Sequence, residues 1–222
     1  MLKPSRFMRR AVALLACSMS LCGAAANAAP LPDAVLDESV PETSTPRTVV
    51  LAGGCFWGVQ AVLQHVRGVQ SAVSGYAGGS ERLAQYELVS SGSTGHAEAV
   101  QVTYDPTQVT LGTLLKVFFS VAHDPTTLDR QGPDHGPQYR SAVFYSGAGQ
   151  ESVARSYIAQ LDAAKAFASP IVTKLEPLVA FYPAETYHQD YARLHPDNPY
   201  IQAHDLPKLA RLQQELPALY KP

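Results

Sequence analysis

The chain has 222 residues, enough for one generous domain or two small ones. The first 28 residues carry four of its 17 Lys and Arg residues and none of its 19 Asp and Glu residues. Residues 29–222 therefore hold 13 basic against 19 acidic residues, a net charge of −6. A protein that binds nucleic acid is expected to carry the opposite sign, which excludes nucleic acid as a partner.

Residues 1–28 are predicted to be a secretory signal peptide. A basic stretch that begins at Lys3 precedes the apolar residues 11–21, and Ala26-Asn27-Ala28 is typical of a cleavage site. Two alternatives stay open: a retained N-terminal anchor, and lipidation of Cys17 in the lipobox-like run Leu14-Leu15-Ala16-Cys17. Cleavage near Ala28-Ala29 would place the mature chain in the periplasm or outside the cell.

The rest of the chain divides into a linker at residues 29–46 and a catalytic domain at residues 47–222 with a C-terminal helical extension. The linker is acidic and contains four prolines, which predicts a mobile segment. Apolar residues then recur with a period of 2 in some segments and of 3.6 in others, and the two kinds of segment alternate without a strict βαβ order. They predict strands at 48–51, 69–76, 97–104, 139–145 and 171–178, and helices at 59–66, 111–121, 149–167 and 206–216. This order indicates an α+β fold, a two-layer α/β sandwich of the ferredoxin-like plait type with a mixed or antiparallel sheet and long functional loops.

The first strand-to-helix turn contains Cys55, within the run Gly54-Cys55-Phe56-Trp57-Gly58. The unpaired N–H groups and the dipole at a helix N-terminus favour a thiolate over a thiol. Phe56 and Trp57 would add two apolar rings beside the sulfur. A buried structural cysteine is the alternative. After cleavage of the leader, however, Cys55 is the single cysteine of an exported chain, which favours a reactive thiol.

Two later loops bring further candidate groups. Ser90–Ala99 places Glu98 at the start of a strand, and Asp129–Ser141 places Asp134 and Tyr139 ahead of another. A thiol with carboxyl groups and phenols nearby has the parts for nucleophilic attack with proton delivery. Taken singly, Glu98 is more often a solvated side chain, and Tyr86 and Tyr139 are more often packing residues.

Other kinds of site have weaker support. His96-Ala97-Glu98 resembles half of a zinc-deaminase motif, but no Cys-x-x-Cys follows it. The seven histidines lack ligand spacing, so we expect no metal. A Cys–His hydrolase would use an oriented histidine, and His135 and His188 stay open for that role although no local protease signature is present. The chain also has no phosphate-binding glycine loop.

Three long motifs occur in the order and spacing of one family: Gly54-Cys55-Phe56-Trp57-Gly58, Gly92-Ser93-Thr94-Gly95-His96-Ala97-Glu98 and Gln131-Gly132-Pro133-Asp134-His135-Gly136-Pro137-Gln138-Tyr139-Arg140-Ser141. Together they closely resemble the A-type peptide methionine sulfoxide reductases, which act on the S epimer. Gly75-Tyr76-Ala77-Gly78-Gly79 and Tyr187-His188-Gln189-Asp190-Tyr191 also resemble that family.

The resemblance implies an oxidoreductase that reduces methionine-S-sulfoxide, in proteins and as the free amino acid, through a sulfenic acid on the nucleophile Cys55. It implies a general acid at Glu98 and oxygen-binding or positioning roles for Tyr86, Asp134 and Tyr139. It further implies a substrate pocket that includes Phe56, Trp57 and His188. We expect a monomer that uses no cofactor besides an external reductant, namely a thioredoxin-like protein or a thiol of the glutaredoxin or glutathione type.

The chain departs from the family pattern in three places. Pro133 stands where Asn is usual, and Ala84-Gln85 replaces a Pro-Thr in the loop that leads to Tyr86. Tyr200-Ile201 leads into the last helix where many members carry resolving cysteines, so this is a one-cysteine variant. The alternative from another functional class is a thiol-based sensing module, in which Cys55 is oxidised by peroxide without turnover of a sulfoxide.

Overall fold

The computed structural model describes residues 30–222, so the predicted signal peptide, with Cys17 and Cys22, lies outside the described residues. The strands are β1 (Arg47–Gly53), β2 (Val69–Ala77), β3 (Ala97–Tyr104), β4 (Arg130–Gln131), β5 (Asp134–His135), β6 (Ser141–Tyr145), β7 (Lys174–Pro177) and β8 (Phe181–Pro183). The helices are α1 (Phe56–Gln64), α2 (Tyr86–Val89), α3 (Leu111–Val117), α4 (Ala148–Ala163), α5 (Tyr191–Leu194) and α6 (Leu206–Glu215).

Six strands form one mixed sheet in the spatial order β7-β6-β1-β3-β2-β8, and β4 and β5 form a separate small hairpin. The four central strands pair antiparallel, whereas the edge strand β7 runs parallel to β6. The order β6-β1-β3-β2, with α1 between β1 and β2 and α3 between β3 and β6, is that of a ferredoxin-like plait. The predicted α+β sandwich with a mixed sheet is therefore confirmed.

The two faces of the sheet are covered unequally, and the period-2 pattern of β1 shows how. Val49 and Leu51 point into the main core, which the helices cover. Val50 and Ala52 point to the other face, where small side chains and Phe144 form a second cluster against Leu178 and Phe181. Residues buried on both faces make β1 a continuous apolar run, and for this reason its short sequence is a clear strand signal.

Most element boundaries agree with the predicted ones, and the differences are local. The helix predicted at 111–121 is regular only to Val117 and continues as a π-helical turn, Phe118–Ala122. The helix predicted at 149–167 ends at Ala163. The edge strand β8 escaped prediction because it is three residues long and ends in a proline. Between residues 30 and 222, none of the helices has the length and apolar character that a membrane crossing requires.

The segment before β1 forms no regular element up to Arg47, yet it lies against the domain through specific contacts. Two of its carboxylates cap the N-terminus of α3. Asp37 Oδ1 accepts from Gly112 N at 2.8 Å and Glu38 Oε1 accepts from Leu111 N at 3.0 Å. The composition that predicts a mobile linker thus also supplies the acidic groups that a helix N-terminus binds.

We expect replacement of Asp37 by alanine to lower the free energy of unfolding by about 1 to 2 kcal/mol, because α3 then loses one of the two carboxylates that cap it and Gly112 N loses its partner. Urea unfolding at pH 7 measures this effect. Glu42→Ala is the matched control, since it removes the same charge type from an exposed position of the same segment. Equal free energies of unfolding for the two variants would contradict the capping role.

Candidate active site

The candidate site lies where β1 ends, because both neighbouring strands begin there. β1 pairs antiparallel with β3, with Leu51 opposite Val100, so the first residues of β3 lie beside the end of β1. On the other side Gly53 lies opposite Ser141, the first residue of β6. The chain continues from β1 through Cys55 into α1. Three segments far apart in sequence therefore meet at the start of this helix.

Cys55 occupies the N-cap position of α1 and is 8% exposed. Gly54, with φ of +91°, makes the turn into the helix, and a Cβ at that position would lie 2.5 Å from the Gln131 side chain. Burial, followed by the charge of the Glu98 carboxylate, raises the pKa of the Cys55 thiol well above its ordinary value, while the Trp57 N–H lowers it. The helix N-terminus by itself predicts a lowered thiol pKa. That prediction is wrong for the resting protein because desolvation outweighs the backbone groups.

Glu98 is 2% exposed, and its Oε2 accepts a hydrogen bond from Phe56 N at 3.0 Å. The carboxyl group therefore lies against the first turn of α1, next to Cys55. Burial raises the pKa of Glu98 to about 8, although the Phe56 N–H acts in the opposite direction. At neutral pH this side chain carries a proton that it can donate, as a general acid requires.

Cys55 lies on the wall of a cavity of about 210 Å³. The wall is formed by Cys55, Phe56, Trp57, Tyr86, Glu98, Asp134, Tyr139 and Tyr200. Seven of these residues are the ones that the sequence analysis selected. The structure thus brings together the thiol, both carboxyl groups and both predicted phenols in one small space.

His188 is the one selected residue that does not line the cavity. It lies behind the indole of Trp57, where its Nδ1 accepts from Trp57 Nε1 at 3.2 Å. Tyr191 stacks on the same indole, with ring centroids 3.9 Å apart and an interplanar angle of 11°. Because His188 bonds to the indole and is not part of the cavity wall, the structure assigns it to holding Trp57 in place.

Tyr86 begins α2, and its loop is fixed by a residue that the sequence analysis did not select. Glu185 Oε1 accepts from Tyr86 N at 3.0 Å, and its Oε2 accepts from the hydroxyl of Tyr76 at 2.8 Å. Burial raises the pKa of Tyr86 to about 12, so its hydroxyl stays protonated and can donate a hydrogen bond. Although Ala84-Gln85 differs from the family pattern, Tyr86 still lies in the site.

Tyr200 is the cavity residue that sequence reasoning missed. Its hydroxyl donates to Asp134 Oδ2 at 2.5 Å, and its ring meets Trp57 edge-on at a centroid distance of 6.0 Å. No local signal distinguishes this tyrosine, since the sequence analysis noted Tyr200-Ile201 only for the cysteine it lacks. Its role depends on the fold of the C-terminal extension, which returns to the site.

Arg140 joins the loops that carry Glu98 and Tyr139. It is 6% exposed, and its guanidinium donates to Gly95 O and Pro137 O, both at 3.1 Å. Its Nε also donates to Glu176 Oε1 at 3.1 Å. Because Gly95 precedes β3 and Pro137 precedes Tyr139, one buried cation fixes the separation of the two loops.

Two other features of the described chain lack the groups that a reactive site needs. A cavity of about 480 Å³ lies between the N-terminal segment and α4, but the Asp37 and Glu38 carboxylates on its wall are already hydrogen bonded to α3. Among residues 30–222, His, Cys, Asp and Glu side chains form no group that could hold a metal ion. The chemistry of the described chain is concentrated at the smaller cavity around Cys55.

Comparison with known proteins agrees with this geometry. The family model described as peptide methionine sulfoxide reductase matches residues 47–218. The peptide methionine sulfoxide reductase MsrA 2 of Mesorhizobium japonicum is 59% identical over 173 residues, which cover 78% of this chain and 89% of the relative. The protein of the same name from Synechocystis is 49% identical, over 83% of this chain and 87% of its own.

Solved structures give the same result. The reduced form of Mxr1 from Saccharomyces cerevisiae superposes with a TM-score of 0.65 at 32% identity, covering 75% of this chain and 98% of the yeast chain. Methionine sulfoxide reductase A of Corynebacterium diphtheriae gives a TM-score of 0.58 at 35% identity, covering 75% and 82%. With its fold, its site and most of its length in agreement, the chain belongs to the peptide methionine sulfoxide reductase family.

Proposed function

We propose that this protein reduces methionine-S-sulfoxide, free or within polypeptides, to methionine, with Cys55 as the nucleophile and Glu98 as the general acid. Membership of the family supports the activity. The observation that carries the residue roles is the hydrogen bond from Phe56 N to Glu98 Oε2, which holds a protonated carboxyl group beside the thiol. The apolar rings of Phe56 and Trp57 on the cavity wall suit the methyl group of the substrate.

The first step is a two-electron transfer from Cys55 to the sulfoxide. After the thiol loses its proton to solvent, the thiolate attacks the sulfoxide sulfur while Glu98 gives its proton to the sulfoxide oxygen. This attack forms a bond between Cys55 Sγ and the substrate sulfur. The hydroxyl then passes from the substrate sulfur to Sγ. The S–O bond and the new S–S bond both break, and the substrate sulfur keeps the electron pair of the S–S bond. Methionine, a sulfenic acid on Cys55 and an ionised Glu98 result. The hydroxyls of Tyr86 and Tyr139 hold the oxygen during this transfer.

Incubation of the protein with methionine-S-sulfoxide and dithiothreitol tests the proposed activity. We expect many equivalents of methionine per protein, quantified by chromatography, and none from the R epimer. The competing function is a thiol sensor, which would lose its thiol once without releasing methionine catalytically. Stoichiometric thiol loss without turnover would therefore contradict the reductase and favour the sensor.

Regeneration is proposed to use an external thiol, because Cys55 is the single cysteine within residues 30–222. One thiol displaces the hydroxyl of the sulfenic acid as water and forms a mixed disulfide with Cys55. A second thiol then attacks the reductant's sulfur and releases Cys55 as a thiolate. A thioredoxin-like protein, a glutaredoxin-type protein or a small thiol can supply both equivalents.

Without a reductant, we expect one methionine per protein and a stable sulfenic acid on Cys55 that dimedone traps. Intact-mass spectrometry after one turnover, under non-reducing conditions, measures both the adduct and the oxidation state. The Cys55→Ser protein is the control and should take up no dimedone. A product lighter than the reduced chain by two hydrogens would mean an intramolecular disulfide with Cys17 or Cys22, and the one-cysteine cycle would be wrong.

We further propose that the mature protein begins near Ala29 and acts in the periplasm or outside the cell, where it repairs exported proteins. The basic and apolar leader with its Ala26-Asn27-Ala28 site supports this location. N-terminal sequencing of the exported protein measures the cleavage point. An N-terminus at Met1, or a lipid on Cys17, would contradict the proposal.

A further inference from the structure

The C-terminal extension brings an ion pair to the first turn of the active-site helix. It begins at Tyr200 and continues through a π-helical turn, Ile201–Asp205, into α6. Ile201 packs with Ala61 of α1, and Leu212 is fully buried in the main core. The extension is therefore an integral part of the domain, fixed against α1 by apolar contacts on both of its parts.

Gly58 of the Gly54–Gly58 motif provides the space for this ion pair. A Cβ on Gly58 would collide with the Asp205 carboxylate and would lie 2.7 Å from Lys208 Nζ. The two side chains thus lie directly on the first turn of α1, three residues after Cys55. Lys208 Nζ donates to Asp205 Oδ1 at 3.2 Å.

Asp205 is an unusual residue to find at this depth. Its side chain is 0% exposed, whereas that of Lys208 is 22% exposed. The second carboxylate oxygen, Oδ2, is buried and has no hydrogen-bond partner within the described chain. A buried carboxylate with an unpaired oxygen costs free energy. The domain therefore keeps this buried carboxyl group beside α1 at a cost in folding free energy.

We propose that the Asp205–Lys208 pair sets the charge state of the Cys55 sulfur, the carboxylate favouring the thiol and the ammonium favouring the thiolate. This inference deepens the proposed function and rests on it. Burial, followed by the charge of Glu98, raises the pKa of the Cys55 thiol most. Asp205 raises it further, and Lys208 lowers it by less than Asp205 raises it. A protonated thiol is less readily oxidised than a thiolate.

Lys208 also bears on the last step of regeneration. In that step an external thiolate attacks the reductant's sulfur in the mixed disulfide, the S–S bond breaks, and Cys55 leaves with the electron pair. A leaving thiolate of lower pKa departs faster, so an ammonium group close to Cys55 speeds this step. The extension would thus speed the regeneration of Cys55 through the charge of Lys208. By the resemblance, many family members carry a resolving cysteine in this part of the chain.

Other titratable groups surround Cys55 and stay unchanged in the test. They come from α2, β3, β5, the turn before β6 and the extension: Tyr86, Glu98, Asp134, Tyr139 and Tyr200. His123, behind Gly53, has its pKa lowered to about 3 by burial and stays neutral throughout the working range. Asp205 itself faces Lys208, His204 and Asp134, and burial raises its pKa.

The test is the rate of Cys55 alkylation by iodoacetamide at pH 8.5, where the rate follows the thiolate fraction. We expect Lys208→Gln to slow alkylation by roughly 3- to 10-fold and Asp205→Asn to accelerate it by roughly the same factor, as a nearby charge shifts a pKa. Lys116→Gln is the matched control, because it removes the lysine of a remote pair with Asp33 and should leave the rate unchanged.

Opposite signs for the two variants distinguish a charge effect from structural damage, which would move both rates in the same direction. Rates that change in the same direction, or that equal the control, would overturn the inference. Lys208 is partly exposed, so its variant is expected to fold, and circular dichroism checks both. Alkylation of Cys55 needs no sulfoxide. If the wild-type protein does not turn over the sulfoxide, the proposed function is overturned, but the alkylation rates still test the inference about Asp205 and Lys208.

Discussion

The Cys55→Ser protein should fold normally and reduce no methionine sulfoxide. Serine differs from cysteine by one atom, and the site is built from β1, β3 and α1, which do not depend on the sulfur. A serine hydroxyl is a far weaker nucleophile, and within the site only Cys55 offers a thiol. The whole catalytic rate should therefore disappear.

Methionine release in the presence of dithiothreitol measures this loss, and circular dichroism with urea unfolding verifies the fold. Lys116→Gln lies far from the cavity and should retain wild-type turnover. It therefore controls for activity lost while a variant protein is made and purified. Continued turnover by a correctly folded Cys55→Ser protein would remove Cys55 from the mechanism. The cavity would then need another nucleophile.

The Glu98→Gln protein should bind the sulfoxide but form the sulfenic acid about 10²- to 10⁴-fold more slowly, because an amide cannot donate the proton. Glutamine keeps an oxygen that can accept from Phe56 N, so the first turn of α1 should be preserved. Single-turnover methionine formation, followed by rapid quench, measures the rate of this step. A wild-type rate would reassign the acid, and Asp134→Asn would then be examined next.

The pH dependence of that rate gives a second test of Glu98. Its pKa of about 8 is raised above the ordinary value, so the proton it donates is present below pH 8 and is lost as the pH rises through 8. The Cys55 thiolate increases over the same range, because its thiol titrates well above its ordinary pKa. The wild-type rate should rise to about pH 8 and then level off. In Glu98→Gln, which has no acid to lose, the rate should continue to rise.

Local patterns in the sequence were sufficient for most of the fold. Strands such as β1 and β3 carry β-branched or alternating residues, and α1 and α3 have apolar side chains at helical spacing. These periods reflect backbone geometry that each segment adopts by itself. Prediction from the sequence failed for elements that are short and for elements whose ends are set by tertiary contacts. β8 has three residues, and α3 changes to a π-helical turn at Phe118.

Seven of the eight residues that line the cavity were selected from the sequence. The family resemblance made this possible, because its three motifs are long and each carries reactive groups, and the resemblance also implied Tyr86, which lies outside them. Strand order explains why they meet. β3 and β6 flank β1, so Glu98 and Tyr139 reach the same end of the sheet as Cys55 although about 40 and 80 positions separate them along the printed chain.

Only the tertiary structure decided how these groups behave. Whether Cys55 rests as a thiol depends on its burial and on charges from β3 and the C-terminal extension, and no local pattern encodes that sum. The same holds for Tyr200 and Asp205, which the C-terminal extension returns to α1. It also holds for His188, which supports Trp57. The sequence by itself determined the elements and the reactive groups, because these are local properties. Packing determined their protonation and supporting contacts, because desolvation and charge act through space.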